Sequence, residues 1–206
     1  MAIEIQNISY KFPQGNAVLD GVSLNVADGE LVVLVGPSGS GKSTFLHCIA
    51  GLLDVDAGDI RIDGTSVRNV KPHAREIGIM MQDQPLYEHL TVEQNIGFPL
   101  RARGKDQASV PELMVELDLS KVAKRKVASC SGGERRRVAL ARAIILRPRV
   151  LLLDEPFISI DPTLRDTMKE YIQTVHSELQ TSTIIVTHNH EESMALCDRL
   201  LSLEKL

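Results

Sequence analysis

One nine-residue stretch constrains this chain more than any other. Gly36-Pro37-Ser38-Gly39-Ser40-Gly41-Lys42-Ser43-Thr44 fits the spacing G-x-x-x-x-G-K-[S/T]. It follows Leu31-Val32-Val33-Leu34-Val35, apolar throughout as in a central strand covered on both faces. Helical spacing then runs over Lys42 to Ala50 until Gly51 stops it. Glycines let backbone N–H groups curl toward one point that side chains would otherwise block, and a helix N-terminus adds positive partial charge there. A strand, loop and helix so joined require a layered α/β sheet and form a cradle for phosphate. In such a cradle Lys42 neutralises β- and γ-phosphates, and the Ser43 hydroxyl ligates Mg²⁺.

The rest of the chain supports an α/β reading. Its 206 residues suit one large α/β domain, and 43% hydrophobic against 24% charged residues leaves ample material for a core. Alternation over Ile3–Gln6 and Val22–Val26 predicts half-buried strands, and short strands follow at Asp59–Asp63 and Ile77–Met81. The middle, about residues 90 to 129, loses the strand signal. Helices are expected over Asp106–Leu119, Glu134–Leu146 (halted by Pro148), Pro162–Leu179 and Glu191–Cys197. Further strands are expected at Val150–Leu153, Thr183–Thr187 and Arg199–Leu203. A formal net charge of −4 argues against a duplex-binding protein, and the expectation is no nucleic-acid partner. Cys48, Cys130 and Cys197 lie far apart, which excludes a disulfide framework and points to a cytoplasmic location. No apolar run approaches the length of a membrane span.

Two further motifs carry chemistry. Val150-Leu151-Leu152-Leu153 delivers Asp154-Glu155-Pro156 to a strand tip. Beside a phosphate cradle, Asp154 holds Mg²⁺ through water and Glu155 polarises an attacking water as general base. Farther back, Ser131-Gly132-Gly133 opens a helix and forms a second anion-facing N-terminus, while Arg135-Arg136-Arg137 reads as a solvated helix face.

With Ser129-Cys130-Ser131-Gly132-Gly133-Glu134 the chain resembles the ATP-binding-cassette (ABC) ATPases, whose signature is L-S-G-G-Q. The resemblance runs over about residues 3–203, with motifs in family order. It implies an α/β fold: a P-loop NTPase core of mixed or parallel sheet, an N-terminal antiparallel β part and a helical signature subdomain at about 90–146. It further implies that Gln82 links Mg²⁺ and water to that subdomain, and that His188 touches the γ-phosphate. Phe12 (Tyr10 being the alternative) stacks on adenine, and Asp161 in Ile158-Ser159-Ile160-Asp161 crosses a dimer interface. Ser131, Gly132 and Gly133 of one copy then complete the ATP site of another, giving an ATP-dependent head-to-tail homodimer.

The stretches Gln82–Ile96 and Val186–Leu196 resemble bacterial importer ATPases. They imply an ATPase peripheral on the inner face of the cell membrane, bound to integral-membrane permease subunits, with or without a substrate-binding protein. Exporter or lipoprotein-release ATPases share all the catalytic residues and are the alternative. Cassettes acting on DNA insert a coiled coil between the motifs, and those acting on ribosomes pair two cassettes per chain; neither feature is in this sequence. Glu134 and Cys130 depart from the family pattern, and Glu134 raises the expectation of a carboxylate near a partner's triphosphate. The reading expects one domain over residues 1–206 with no C-terminal regulatory domain.

Overall fold

The structure is a computed structural model that describes residues 2–15, 17–83, 85–158, 162–189 and 196–203, without the side chains of Thr163 and Leu164. Nine strands and five helices are described: β1 (Ile3–Lys11), β2 (Ala17–Val26), β3 (Leu31–Val35), α1 (Lys42–Ala50), β4 (Ala57–Ile62), β5 (Thr65–Ser66), β6 (Ile77–Met80), α2 (Val92–Ala102), α3 (Ser109–Glu116), α4 (Gly132–Ile144), β7 (Val150–Asp154), α5 (Pro162–Leu179), β8 (Ser182–Thr187) and β9 (Arg199–Ser202). The expected final helix at Glu191–Cys197 lies largely outside the described residues.

The strands form two sheets. β6-β7-β8-β3-β9 is wholly parallel, and β2-β1-β4-β5 is antiparallel. The unbroken apolar run of β3 has a direct cause. Leu31 and Val33 face one hydrophobic cluster with α2, α3, α4 and α5, while Val32 and Leu34 face another with α1 and the antiparallel sheet. Leu151 and Leu153 against Val150 and Leu152 divide β7 in the same way. A strand buried on both faces needs apolar residues at every position.

Register brings the strand ends level. Val35 pairs with Thr187 and Asp154 with Val186, so the segments that follow β3, β7 and β8 leave the sheet along one edge. Ligands of open parallel sheets bind along such an edge.

The helices differ from their sequence expectations at the ends. α4 begins at Gly132, two residues early, because Ser131 caps it; it stops before Leu146, where Arg147 takes a φ of +52° ahead of Pro148. α3 spans only part of the expected Asp106–Leu119. α2 was not resolved as an element by periodicity. Its start is a reciprocal cap between Thr91 and Gln94, and Pro99 inside it weakens the sequence signal. Asn95, wholly buried, ties the preceding loop to this helix: its Oδ1 accepts from Tyr87 N–H at 2.9 Å, and its amide donates to Tyr87 O at 3.1 Å and Thr91 O at 3.0 Å. None of the described helices is long and apolar enough to cross a membrane.

Candidate functional site

The glycine loop curls over the N-terminus of α1. Gly41 is the N-cap at φ +93°, a left-handed conformation that L side chains rarely adopt, and a Cβ there would stand 3.0 Å from Val18 Cγ1 and Val18 O. No side chain caps α1, so the first helical N–H groups stay available to an anion. Lys42, 6% exposed, donates to Gly36 O at 2.7 Å and Pro37 O at 2.8 Å, which fixes its ammonium inside the loop. Pro37, Ser38 and Gly39 form the exposed crest of the loop, while Ser40, Ser43 and Thr44 are half-buried.

Beside this loop the ends of β7 and β8 supply the acidic and basic groups. Glu155 is 8% exposed and adopts a φ of +48°, an uncommon backbone for a residue with a Cβ. Its N–H donates to Val186 O at 2.9 Å. Its carboxylate accepts from Thr187 Oγ1 at 3.0 Å and contacts His188 Nδ1 at 2.8 Å. Main chain and side chain are therefore both fixed by β8. Such a carboxylate, held at a strand tip with a histidine at its oxygen, can orient and deprotonate a water.

Asp154 is buried, and its Oδ1 has no hydrogen-bond partner. Burial pushes its carboxyl above the ordinary range, opposed by the Ser43 hydroxyl and the charges of His47 and Lys42. His47, one helical turn beyond Ser43, also has a buried and unpartnered Nε2. A hydroxyl and an unsatisfied carboxylate oxygen form a hard oxygen donor set, and they fit Mg²⁺ by chemistry. Gln82 is exposed just past the end of β6. Phe12 is 45% exposed and edge-on to the buried Tyr10, with ring centroids 5.1 Å apart, so of the two aromatics Phe12 has the free face. Asp161 lies outside the described residues.

The second glycine motif caps α4. Ser131 Oγ accepts from Glu134 N–H at 3.2 Å, and Glu134 Oε2 accepts from Ser131 N–H at 2.7 Å. Glu134 Oε1 pairs with Arg125 at 3.2 Å, so the carboxylate turns back on its own helix. Ser131 and Gly132 are exposed and Gly133 is half-buried.

The arginines that follow are not a solvated face. Arg135 grips Glu88 at 2.6 and 3.0 Å, and Arg137 is buried with its guanidinium on Leu117 O and Asp118 O at 2.9 and 3.0 Å. Arg136 is buried too. Arg136 and Arg137 reach inward because α4 packs on its neighbours almost all round from residue 136 onward, while the half-buried Arg135 bridges to Glu88 near the surface. Thr187, Arg125 and His47 escaped the sequence reading, since a threonine ending a strand or a histidine inside a helix is commonplace until the fold supplies its neighbours.

A family model described as ABC transporter matches residues 19–158, which hold the glycine loop, the acidic pair and the Ser131 motif. The chain belongs to the ABC transporter family. Among its curated relatives is the sn-glycerol-3-phosphate import ATP-binding protein UgpC of Chromobacterium violaceum, 40% identical over 98% of this chain and 56% of that protein. The sulfate/thiosulfate import ATP-binding protein CysA of Synechocystis sp. is 42% identical over 98% of this chain and 58% of its own length. The Fe(3+) ions import ATP-binding protein FbpC of Streptomyces coelicolor is 46% identical over 91% of this chain and 55% of its own. The chain thus spans somewhat over half the length of the curated relatives it matches. Among solved ABC structures, the dimeric post-hydrolysis state of the ATP-binding cassette MJ0796 bound to ADP and Pi superposes with a TM-score of 0.89. It is 27% identical, over 97% of this chain and 93% of that one.

Proposed function

We propose that this chain binds and hydrolyses ATP as the motor subunit of an ABC importer, docked on permease subunits at the inner face of a membrane. The observation that supports this best is the shared edge of three adjacent strands, where the loop after β3, the Asp154-Glu155 pair after β7 and His188 after β8 stand together. The relatives named above are import proteins, which supports the direction of transport.

In this reading Phe12 stacks on adenine. Lys42 turns from the carbonyls of Gly36 and Pro37 toward the β- and γ-phosphates, joined by the N–H groups of residues 39–44. Ser43, Asp154 and Gln82 would hold Mg²⁺, which would offset phosphate charge. Glu155 takes the proton of the attacking water while Thr187 holds one carboxylate oxygen and His188 the other. His188 also reaches the γ-phosphate. Ser131, Gly132 and Gly133 of a second copy close the site from outside, with Asp161 across the interface, so two copies pair head to tail around ATP.

Purified chain is expected to hydrolyse ATP with Mg²⁺ and to stop when EDTA is added, and Lys42→Ala is expected to bind a fluorescent ATP analogue at least about tenfold more weakly, as loss of a charge-assisted phosphate contact implies. Tagged protein drawn from detergent-solubilised membranes is expected to bring a permease with it. Hydrolysis unaffected by Lys42→Ala, or recovery of ribosomal or nucleoid proteins without a membrane partner, would overturn the reading.

A further inference from the structure

α4 carries one cation whose place in the fold no described contact explains. Arg136 is 6% exposed, yet its Nε and Nη1 are buried without a hydrogen-bond partner. Its neighbours are anchored: Arg135 on Glu88, and Arg137 through its Nη1 on the carbonyls of Leu117 and Asp118, although the Arg137 Nε is also buried without a partner. Arginine keeps its charge in proteins, so the group cannot escape its environment by losing a proton. A buried polar group left unsatisfied in a native fold calls for a reason.

The geometry of α4 says where this guanidinium stands. Arg136 precedes Ala143 by two turns, on the same helix face and about 10 Å nearer the N-terminus. Ala143 O covers Gly78 so closely that a Cβ on Gly78 would stand 2.4 Å from it. A short connection joins α4 to β7, so the helix runs antiparallel to β7 and to its parallel neighbour β6. A climb of about 10 Å from Gly78, roughly three residues of strand, ends near Met81, just past the end of β6. Through the pairing of Gly78 with Leu151 the same climb ends at Asp154, the last residue of β7, with Glu155 directly after it. Arg136 therefore approaches the carboxylate end of β7 from the helical side, opposite the contacts made by β8. Burial pulls the Arg136 pKa down and the charge of Glu155 pulls it back up. Among the described residues each Glu155 carboxylate oxygen has one hydrogen-bond partner, Thr187 or His188, and a carboxylate accepts more than two hydrogen bonds.

We propose that Arg136 is a positioning residue for Glu155: from α4 it supplies the counter-charge that, together with Thr187 and His188, holds the carboxylate aimed at the water it activates. Arg136 does not touch the nucleotide. It ties the helix that carries the Ser131 motif to the group that performs hydrolysis, so the two arrive in register. The inference rests on the function proposed above.

Arg136→Gln, Arg136→Met and Arg136→Lys in the full chain separate this role from packing. Arg136→Gln and Arg136→Met are expected to lower kcat about tenfold or more, the scale on which outer supporting residues act, with KM for ATP and affinity for a fluorescent nucleotide unchanged. Their Tm is expected to stay close to the wild-type value, because Thr187 and His188 still hold the Glu155 carboxylate when the guanidinium is gone. Arg136→Lys is expected to recover most of the kcat. In a Glu155→Gln background, Arg136→Gln is expected to leave ATP-driven dimerisation untouched.

Wild-type kcat in Arg136→Gln overturns the inference. So does a kcat that falls with Tm and is not recovered by lysine, or a loss of dimerisation in the Glu155→Gln background. A wild-type chain that hydrolyses no ATP overturns the proposed function and this inference with it, which distinguishes the two failures.

Discussion

Glu155 concentrates more constraint than any other residue at the strand edge. Its backbone sits at φ +48°, its N–H is committed to Val186 O, and both carboxylate oxygens are engaged by the end of β8. Holding a non-glycine residue in that conformation costs about 1–3 kcal/mol, so the surroundings must over-determine it. Glu155→Gln keeps the shape and the hydrogen bond from Thr187 but removes the basic oxygen. Steady-state ATPase assays are expected to show a loss of about 10²–10⁴-fold, the range for a removed general base, while nucleotide affinity stays at the wild-type level. A drop of less than threefold would assign the proton transfer elsewhere. Cys48 gives a second test at this scale. Burial pushes its thiol up to about 12, well above the ordinary value, so at pH 8 the reactive thiolate is almost absent in the folded chain. An aromatic disulfide reagent at pH 8 is expected to leave Cys48 untouched in native protein and to titrate it at once in urea.

The elements show which parts of the fold a sequence states openly. β3 and β7 were legible because burial on both faces writes itself as an apolar run, β8 because its residues from Thr183 to Thr187 are all β-branched, and α1 because a glycine loop and Gly51 bracket it. α2 was not, although Thr91 and Gln94 spell its cap, since Pro99 argues against a helix and the packing that pays for it is tertiary. The three arginines of α4 misled for a related reason: a run of charge normally marks a solvated face, and only the fold shows that Arg135 and Arg137 have partners in neighbouring loops and that Arg136 is buried. Asn95 was silent altogether. Its Oδ1 is the partner of the Tyr87 N–H, while its amide adds a second donor to Tyr87 O and Thr91 O, which already accept from the backbone; Asn95→Ala therefore strands the Tyr87 N–H and leaves a void where a wholly buried side chain stood. Urea unfolding is expected to show a loss of about 2–3 kcal/mol, with faster amide exchange over residues 86–91, whereas a change under 0.5 kcal/mol would mean water replaces the side chain freely. That loop lies between Gln82 and α2, so hydrolysis should suffer less than stability.

At the scale of the whole molecule, the question raised by the departure from L-S-G-G-Q is whether Glu134 weakens pairing of two copies. A free carboxylate facing a triphosphate at close range is strongly repulsive in a water-poor interface. The structure turns the group the other way: one oxygen closes the Ser131 cap and the other pairs with Arg125, so its charge is largely spent inside its own subunit. A hydroxyl that accepts from Glu134 N–H still has its own proton to donate, which leaves Ser131 able to bind phosphate across the interface. The expectation is therefore that Glu134→Gln, made in the Glu155→Gln background that retains ATP, changes the midpoint of ATP-driven dimerisation by less than about threefold, well under the 1.4 kcal/mol that a tenfold change represents. Light scattering against ATP concentration, repeated at 50 and 300 mM salt, measures it. A shift of tenfold or more toward tighter pairing, shrinking at the higher salt, would show that the carboxylate faces the partner's nucleotide after all, because only an exposed charge is screened in that way.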